Sequence, residues 1–348
     1  MNDSTRADGL FVPLHDRVTA PQSLALPEGP QGITWRALRD DDASLVADLE
    51  SRIASRDHPS WSQSLEEVRE ELAHTWVDAS SDGVLAVDDD GTALAWGLVV
   101  TPPDPDTLVR AFLFGGVDPA HRGRGIGRRL LEWQRGRALQ KLAALEHRLP
   151  AWILSYAPDL APEHGSLLQR AGFSAARWFT TLECDLRAAT PESPPPPGVT
   201  LDVFTPARSE ATRAAKNAAF ADHWGSQPTT REQWESTQSL PTFRADLSRI
   251  ALVGDEVVGF VVTEVSEADW ERLGASSGYI SLVGTVREWR GRGLAASMLS
   301  AVLDAYRSEG LQRAVLDVDT ENPTGALGVY TRLGFAATSR DVAYRIEV

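Results

Sequence analysis

Residues 286–295 read Val-Arg-Glu-Trp-Arg-Gly-Arg-Gly-Leu-Ala, and this stretch decides the fold. The residues before it, 279–283, are largely apolar and β-branched, which is typical of a buried strand. From Ala295 to Tyr306, apolar side chains recur at helical spacing. Gly291 and Gly293 allow the backbone to come close to a ligand, and free N–H groups at the start of a helix bind anions. The stretch therefore predicts a phosphate-binding strand–loop–helix, to which Arg290 and Arg292 add positive charge.

The same loop occurs earlier in the chain, where residues 122–127 read Arg-Gly-Arg-Gly-Ile-Gly. Arg290 lies 168 positions after Arg122, and Gly334 lies 162 positions after Gly172 at the end of a matching short helix. Near-constant offsets indicate the duplication of one unit of about 165 residues. Two copies are too few for a solenoid, so the repeat predicts two similar domains.

Alternating strands and helices in each half predict an α/β fold for both domains. We assign residues 1–31 to an N-terminal arm and residues 32–187 to the first domain. Residues 188–198 contain four consecutive prolines and form a semi-rigid linker. Residues 199–348 form the second domain.

The composition narrows the class of function. The formal net charge of −15 and the absence of a sustained basic run argue against nucleic-acid binding. No stretch approaches the roughly 20 apolar residues of a membrane helix, and the first 20 residues do not resemble a signal peptide. The single cysteine, Cys184, excludes an intrachain disulfide, and no cluster has metal-ligand spacing. We expect a cytoplasmic protein without a metal, either a monomer or a homodimer.

Both halves resemble the GNAT (Gcn5-related N-acetyltransferase) family. The family signature Arg/Gln-x-x-Gly-x-Gly/Ala is matched at 122–127 and again at 290–295. A later family pattern is matched in the second half by Asn322, Ala326, Tyr330, Leu333, Gly334 and Phe335. The resemblance covers residues 32–187 and 199–348, and it implies a central mixed β-sheet flanked by helices in each domain. Among two-domain members, the second half is similar to the mycothiol synthases.

This resemblance implies that acetyl-CoA is the acyl donor and that its pyrophosphate lies over the N–H groups of a loop. A backbone N–H near Val286 is expected to polarise the thioester carbonyl. Tyr330 matches the residue that protonates the departing thiolate, and Asn322 matches a residue that helps to hold the cofactor amides. The other cofactor-binding residues implied are Val117, Arg122, Gly123, Arg124, Gly125, Ile126, Gly127, Arg290, Gly291, Arg292, Gly293, Leu294 and Ala295.

The sequence departs from the family pattern in two places. Leu168 stands in the first half where Tyr330 stands in the second, so we predict that the first domain is catalytically silent. The strand before the second loop lacks the glutamate that many relatives use as a base, and Tyr279 occupies the matching position. Either the base comes from elsewhere in the second half, for which His223 and Glu264 are the candidates, or the substrate amine arrives already neutral. An ordinary loop histidine and a solvated strand end are the alternative interpretations of these two residues.

An acceptor site is predicted around Asp222 and Trp224, in the segment between two helices that forms this site in the family. Tyr279 and Asp319 complete the predicted substrate-binding set. Asp317 and Asp319 alternate along one strand and therefore share a face, so Asp319, Glu321 and Asp222 either form an acidic lip for a cationic amine or are ordinary solvated carboxylates.

These observations predict an acetyl-CoA-dependent N-acetyltransferase that acts on a primary amine of a small polar molecule, with the chemistry in the second domain. One alternative is mycothiol-synthase-like acetylation of a cysteinyl amine. Another is a CoA-binding regulatory protein without turnover, which the missing glutamate favours and Tyr330 opposes. Aminoacyl transfer from charged tRNA, as some two-domain relatives perform, is disfavoured by the acidic charge.

Overall fold

The computed structural model describes residues 6–7, 10–58, 63–267, 270–321 and 326–348. The chain divides into two compact units. Residues 1–176 and 342–348 form the first unit, and residues 177–341 form the second. No helix within these described ranges has both the length and the apolar character required to cross a membrane.

The first unit is an α/β fold built on a mixed sheet. Its strands are β1 (Arg6–Ala7), β2 (Leu10–Phe11), β3 (Thr34–Ala37), β4 (Gly83–Val87), β5 (Ala93–Val100), β6 (Val109–Val117) and β7 (Ala151–Pro158). Its helices are α1 (Leu14–Arg17), α2 (Ala43–Asp57), α3 (Leu65–Ala73), α4 (Ala79–Asp82), α5 (Ile126–Ala143) and α6 (Pro162–Arg170). The sheet runs in the order β3-β4-β5-β6-β7, in which the β6–β7 pair is parallel and the other pairs are antiparallel.

Local sequence explains several boundaries in this unit. The side chain of Ser64 caps α3 and accepts from the Glu67 N–H, and the Glu67 side chain accepts from the Ser64 N–H, which makes a Ser-x-x-Glu capping box. The Asp88 side chain accepts hydrogen bonds from the N–H groups of Asp90 and Thr92 and so closes the β4–β5 turn. The short helices α1 and α4 were not predicted, because four residues carry too little periodicity to be recognised.

The second unit repeats the plan. Its strands are β8 (Ser174–Asp185), β9 (Thr200–Val203), β10 (Arg249–Val253), β11 (Glu256–Glu264), β12 (Ser277–Thr285), β13 (Arg313–Asp319) and β14 (Ala336–Glu347). Its helices are α7 (Ser209–Phe220), α8 (Arg231–Ser239), α9 (Trp270–Leu273), α10 (Leu294–Ser308) and α11 (Ala326–Arg332). Within it the strands run β8-β13-β12-β11-β10-β9, and β12–β13 is the parallel pair.

Part of the last strand of each half belongs to the other unit, which the sequence boundaries at 187 and 199 did not anticipate. Residues 177–185 of β8 belong to the second unit, where they pair antiparallel with β13. Residues 342–348 belong to the first unit, where the Val348 N–H donates to the Ala151 carbonyl at 2.9 Å. Strand pairing between distant segments leaves no local sequence signal, so the repeat alone could not reveal the exchange.

The exchange predicts which substitutions destabilise the second unit. Leu182 lies on β8 with 1% of its surface exposed, in a core with Leu316 and Val318. Leu182→Ala should lower the free energy of unfolding by about 2–5 kcal/mol through the lost contacts and the cavity left behind. Denaturant unfolding of the full chain measures this, with the exposed Arg187→Ala as the control. Equal effects of the two substitutions would contradict the assignment of β8 to this core.

Candidate active site

The two glycine-rich loops have the same backbone conformation. Gly123 and Gly125 have φ of 77° and 82°, and Gly291 and Gly293 have φ of 73° and 82°. These left-handed values favour glycine over any other residue. A Cβ placed at any of the four would meet no atom of the described chain within 4 Å, so the space in front of both loops is open.

Each loop ends at the start of a long helix. Gly125 and Gly293 are the N-caps of α5 and α10, and neither has a side chain to bond the first N–H groups. Ile126 and Leu294 are buried and fix the first turn of each helix. The uncapped N–H groups and the positive end of the helix dipole therefore provide two places suited to a phosphate group.

The first arginine of each loop does not point at this anion site, contrary to the expectation that Arg290 adds charge there. Arg290 donates to both carboxylate oxygens of Asp222 at 2.7 and 3.1 Å and to the Ala219 carbonyl at 2.7 Å. Arg122 makes the same kind of bidentate ion pair with the carboxylate of Asp57. Each guanidinium therefore fastens its loop to the end of a helix, and its charge is compensated by a carboxylate.

The second arginine of each loop is exposed. The guanidinium carbon (Cζ) of Arg292 lies 4.7 Å from the ring centroid of Trp289. Arg124 is the residue at the equivalent sequence position in the first loop. These are the two loop arginines that remain suited to a phosphate ligand. Gly127 is the second residue of α5, and Ala295 is the second residue of α10. A Cβ at Gly127 would lie 3.4 Å from the Leu167 side chain.

A cleft opens in each sheet where its parallel strands separate. In the second unit the pairing of β12 with β13 ends at Tyr279 and Val315. In the first unit the pairing of β6 with β7 ends at Phe112 and Leu154. The unpaired edge beyond these points has the form of a site where an extended ligand can add to the strand.

Strand β12, at the cleft of the second unit, has a bulge, and strand β6, at the cleft of the first unit, has none in its pairing with β5. The β11–β12 register shifts after Val262, so that Ser281 is an extra residue in β12, whereas the β5–β6 register is continuous. A bulge moves the residues beyond it to the other face of the sheet. Tyr279 therefore shares a face with Leu282 and with its partner Glu264, on the side covered by α7 and α8.

The expectation for the Val286 amide needs correction. Its N–H donates to the Val258 carbonyl at 3.0 Å, because the sheet hydrogen bonding continues one residue past β12. This N–H is therefore not available to polarise a thioester carbonyl. Val117, in the first unit, accepts a hydrogen bond from Nε of Arg122 through its carbonyl at 3.2 Å.

Tyr330 lies on α11 with 7% of its surface exposed, and its ring contacts Phe335 edge to face. Burial raises the pKa of the Tyr330 phenol to about 12, so the hydroxyl keeps its proton at neutral pH. Leu168, the equivalent residue in the first unit, is fully buried and has no proton to give. Asn322 lies outside the described residues.

The segment that follows α7 carries His223 and Trp224, both half-buried. The imidazole of His223 packs on the Phe220 ring with centroids 4.3 Å apart. Burial lowers the pKa of His223, and the charges of Asp222 and Asp319 only partly oppose this. The imidazole is therefore neutral at pH 7. The Arg290 contact holds the pKa of Asp222 at about 2, so this carboxyl stays ionised.

Polar side chains surround the mouth of the second cleft. The Tyr279 hydroxyl donates to Asp317 at 2.7 Å, and burial followed by the Asp317 charge raises the pKa of the phenol well above its usual range. Asp319 accepts a hydrogen bond from Arg177 at 2.9 Å. Thr181 donates to Asp317 at 2.6 Å and was missed by sequence reasoning, since β8 reaches this site only through the strand exchange.

A second feature missed from sequence is the path of the linker along α10. Arg307 donates to the carbonyls of Leu186 and Ala188 at 2.9 and 3.0 Å. The Ser297 hydroxyl, in the first turn of the helix, donates to the Pro194 carbonyl at 2.8 Å. The proline-rich segment is thus held beside the helix that the second loop opens.

An anion-binding loop between a strand and a helix, followed by a splayed parallel strand, is suited to a CoA-dependent acyltransferase, and the chain carries this arrangement twice. The sequence profile of the Acetyltransferase (GNAT) family matches residues 46–152 and 211–335. The chain therefore belongs to the GNAT family and is an acyltransferase. Members of this family use acetyl-CoA as the acyl donor. Within the described residues no group of side chains is arranged to hold a metal ion.

Individual relatives agree with the resemblance to mycothiol synthases. The chain is 33% identical over 259 residues to the mycothiol acetyltransferase of Thermobispora bispora, covering 74% of this chain and 81% of the relative. A GCN5-related N-acetyltransferase structure from Sphaerobacter thermophilus has a TM-score of 0.70 at 27% identity, covering 92% of this chain and 97% of that one. A tandem GNAT protein from the clavulanic acid biosynthesis pathway has a TM-score of 0.64 at 17% identity, covering 90% and 98% of the two chains.

Proposed function

We propose that the second unit transfers an acetyl group from acetyl-CoA to a primary amine of a small polar molecule. The observation that carries this proposal is the asymmetry between the units. Both have an open loop, but only the second has a protonated tyrosine, Tyr330, at the position where the first has Leu168. The bulge at Ser281, which the first unit lacks, supports the same assignment.

In this mechanism the pyrophosphate binds the N–H groups at the start of α10, and the pantetheine arm extends along the free edge of β12. The amine nitrogen attacks the thioester carbon, a C–N bond forms and the C–S bond breaks. Tyr330 gives its proton to the leaving thiolate. The test is release of free CoA thiol from acetyl-CoA with a panel of primary amines. Binding of acetyl-CoA without turnover for any amine would favour a regulatory CoA-binding protein instead.

We propose His223 rather than Glu264 as the group that takes a proton from the amine. A lowered pKa leaves the His223 imidazole neutral and able to accept a proton at pH 7. Because the pKa of His223 is lowered, the wild-type kcat/KM should fall only at a pH below that at which an ordinary histidine, with a pKa of about 6.5, becomes protonated. His223→Gln should lower the maximal kcat/KM about 10²-fold and remove the decline of kcat/KM at low pH. Glu264→Gln is the comparison, and a decline that disappears only in this second variant would reject His223.

A cysteinyl amine is the second candidate acceptor. Its support is the similarity to mycothiol acetyltransferases, one of which is 33% identical to this chain. A comparison of cysteinyl glycosides with simple alkyl amines in the same thiol-release assay tests it. A preference for the cysteinyl compounds in kcat/KM would support this narrower function, and equal rates would reject it.

A further inference from the structure

Most carboxylates at the acceptor side of the second unit are already compensated by arginine. Asp222 is held by Arg290 at 2.7 Å. Asp319 and Glu321 share Arg177, with N–O distances of 2.9 Å to each. These three residues were the acidic lip considered from sequence. Their charges are directed into ion pairs, so they are poor candidates for holding a cationic ligand.

Asp317 differs from these residues in the chemistry of its partners. One carboxylate oxygen accepts a hydrogen bond from Thr181 at 2.6 Å, and the other accepts one from Tyr279 at 2.7 Å. Both donors are neutral hydroxyl groups, so they orient the carboxylate without cancelling its charge. In the part of the chain that the structure describes, no lysine or arginine is paired with Asp317, whose side chain is exposed.

The position of Asp317 also distinguishes it. It lies on β13 two residues after Val315, the last residue paired with β12, and therefore at the mouth of the cleft. Glu264 of β11 and Asp341 of β14 add negative charge around the Tyr279 hydroxyl. Arg177 of β8 is engaged with Asp319, and Arg313, which shares a face of β13 with Asp317, is engaged with Glu183. An uncompensated negative charge thus faces the place where an acceptor must enter.

We propose that Asp317 determines specificity by binding the ammonium form of the acceptor, and that Tyr279 is a positioning residue that orients this carboxylate. This inference rests on the proposed acetyl transfer in the second unit and names the recognition group for its substrate class, a protonated primary amine. The Tyr279 hydroxyl, on the neighbouring strand, holds one oxygen of this carboxylate at the mouth of the cleft.

The protons balance in this scheme. The bound ammonium gives one proton to neutral His223, which later passes it to solvent. The free amine attacks the thioester carbon, the thiolate leaves with the proton of Tyr330, and the second nitrogen proton restores the Tyr330 phenol. The net reaction releases one proton for each acetyl group transferred to an ammonium.

Kinetics of Asp317→Asn with the best amine of the panel test the proposal. The substitution keeps the size of the side chain and removes its charge, so the amine KM should rise about 10–100-fold while kcat changes less than about threefold. The dissociation constant of acetyl-CoA should be unchanged. Added NaCl should raise the wild-type amine KM several-fold by screening the ion pair, and it should affect the variant much less. Tyr279→Phe should raise the amine KM about 3–10-fold in the same direction.

Asp304→Asn is the matched control, because Asp304 is an exposed aspartate on the outer surface of α10. Its kinetic constants should match those of the wild type. The proposal is overturned if Asp317→Asn leaves the amine KM unchanged, or if it lowers kcat and acetyl-CoA affinity together, as a structural role would. Absence of turnover by the wild-type protein with every amine would instead reject the proposed function.

Discussion

Tyr330→Phe is expected to lower kcat about 10²–10³-fold and to leave the affinity for acetyl-CoA almost unchanged. The substitution removes one oxygen from a side chain that is 7% exposed and keeps the ring that packs on Phe335. Because the pKa of the phenol is raised to about 12, the wild-type hydroxyl is protonated and can supply a proton to the departing sulfur. Thiol release and calorimetric titration with acetyl-CoA measure the two quantities separately.

Tyr344→Phe is the control for this experiment. Tyr344 is 8% exposed, in the part of β14 that belongs to the first unit, so it is a buried tyrosine without a proposed chemical role. Its loss should leave kcat within about twofold of the wild-type value. If Tyr330→Phe weakens acetyl-CoA binding as strongly as it slows turnover, the residue positions the cofactor and is not the proton donor.

Local patterns predicted the helices and strands that carry the site. The helix over Ser209–Phe220 and the loop before α10 follow from apolar periodicity and from glycines placed where φ must be positive. The hairpin strands around residue 90 follow from an Asp-rich turn with a glycine. The resemblance to a known family added roles that the physical patterns alone could not supply.

What could not be predicted depends on contacts between distant residues. Nothing in the loop sequence indicates that Arg290 turns away from the ligand to Asp222, 68 positions earlier, because either direction is compatible with the same local backbone. The bulge at Ser281 is one unpaired residue in a strand and reverses the face on which Tyr279 lies. Thr181 lies at the site only because residues 177–185 of β8 pair with β13 in the second unit.

Gly293→Val is expected to abolish binding of acetyl-CoA to the second unit and to reduce turnover more than about 100-fold. Gly293 has φ of 82° and precedes the first N–H groups of α10, which are the proposed pyrophosphate site. A branched side chain there disfavours this conformation by about 1–3 kcal/mol and projects into the open space in front of the loop. Calorimetric stoichiometry should fall by one site relative to the wild-type protein.

Gly310→Val separates backbone strain from the blocked site. Gly310 follows the other end of α10 with the same φ of 82°, and a Cβ there also meets no described atom within 4 Å. It should lose similar stability and retain acetyl-CoA binding. Gly125→Val, the equivalent change in the first loop, should preserve turnover, because that unit has Leu168 where the proton donor would stand. Turnover that survives Gly293→Val but not Gly125→Val would reverse the assignment of the two units.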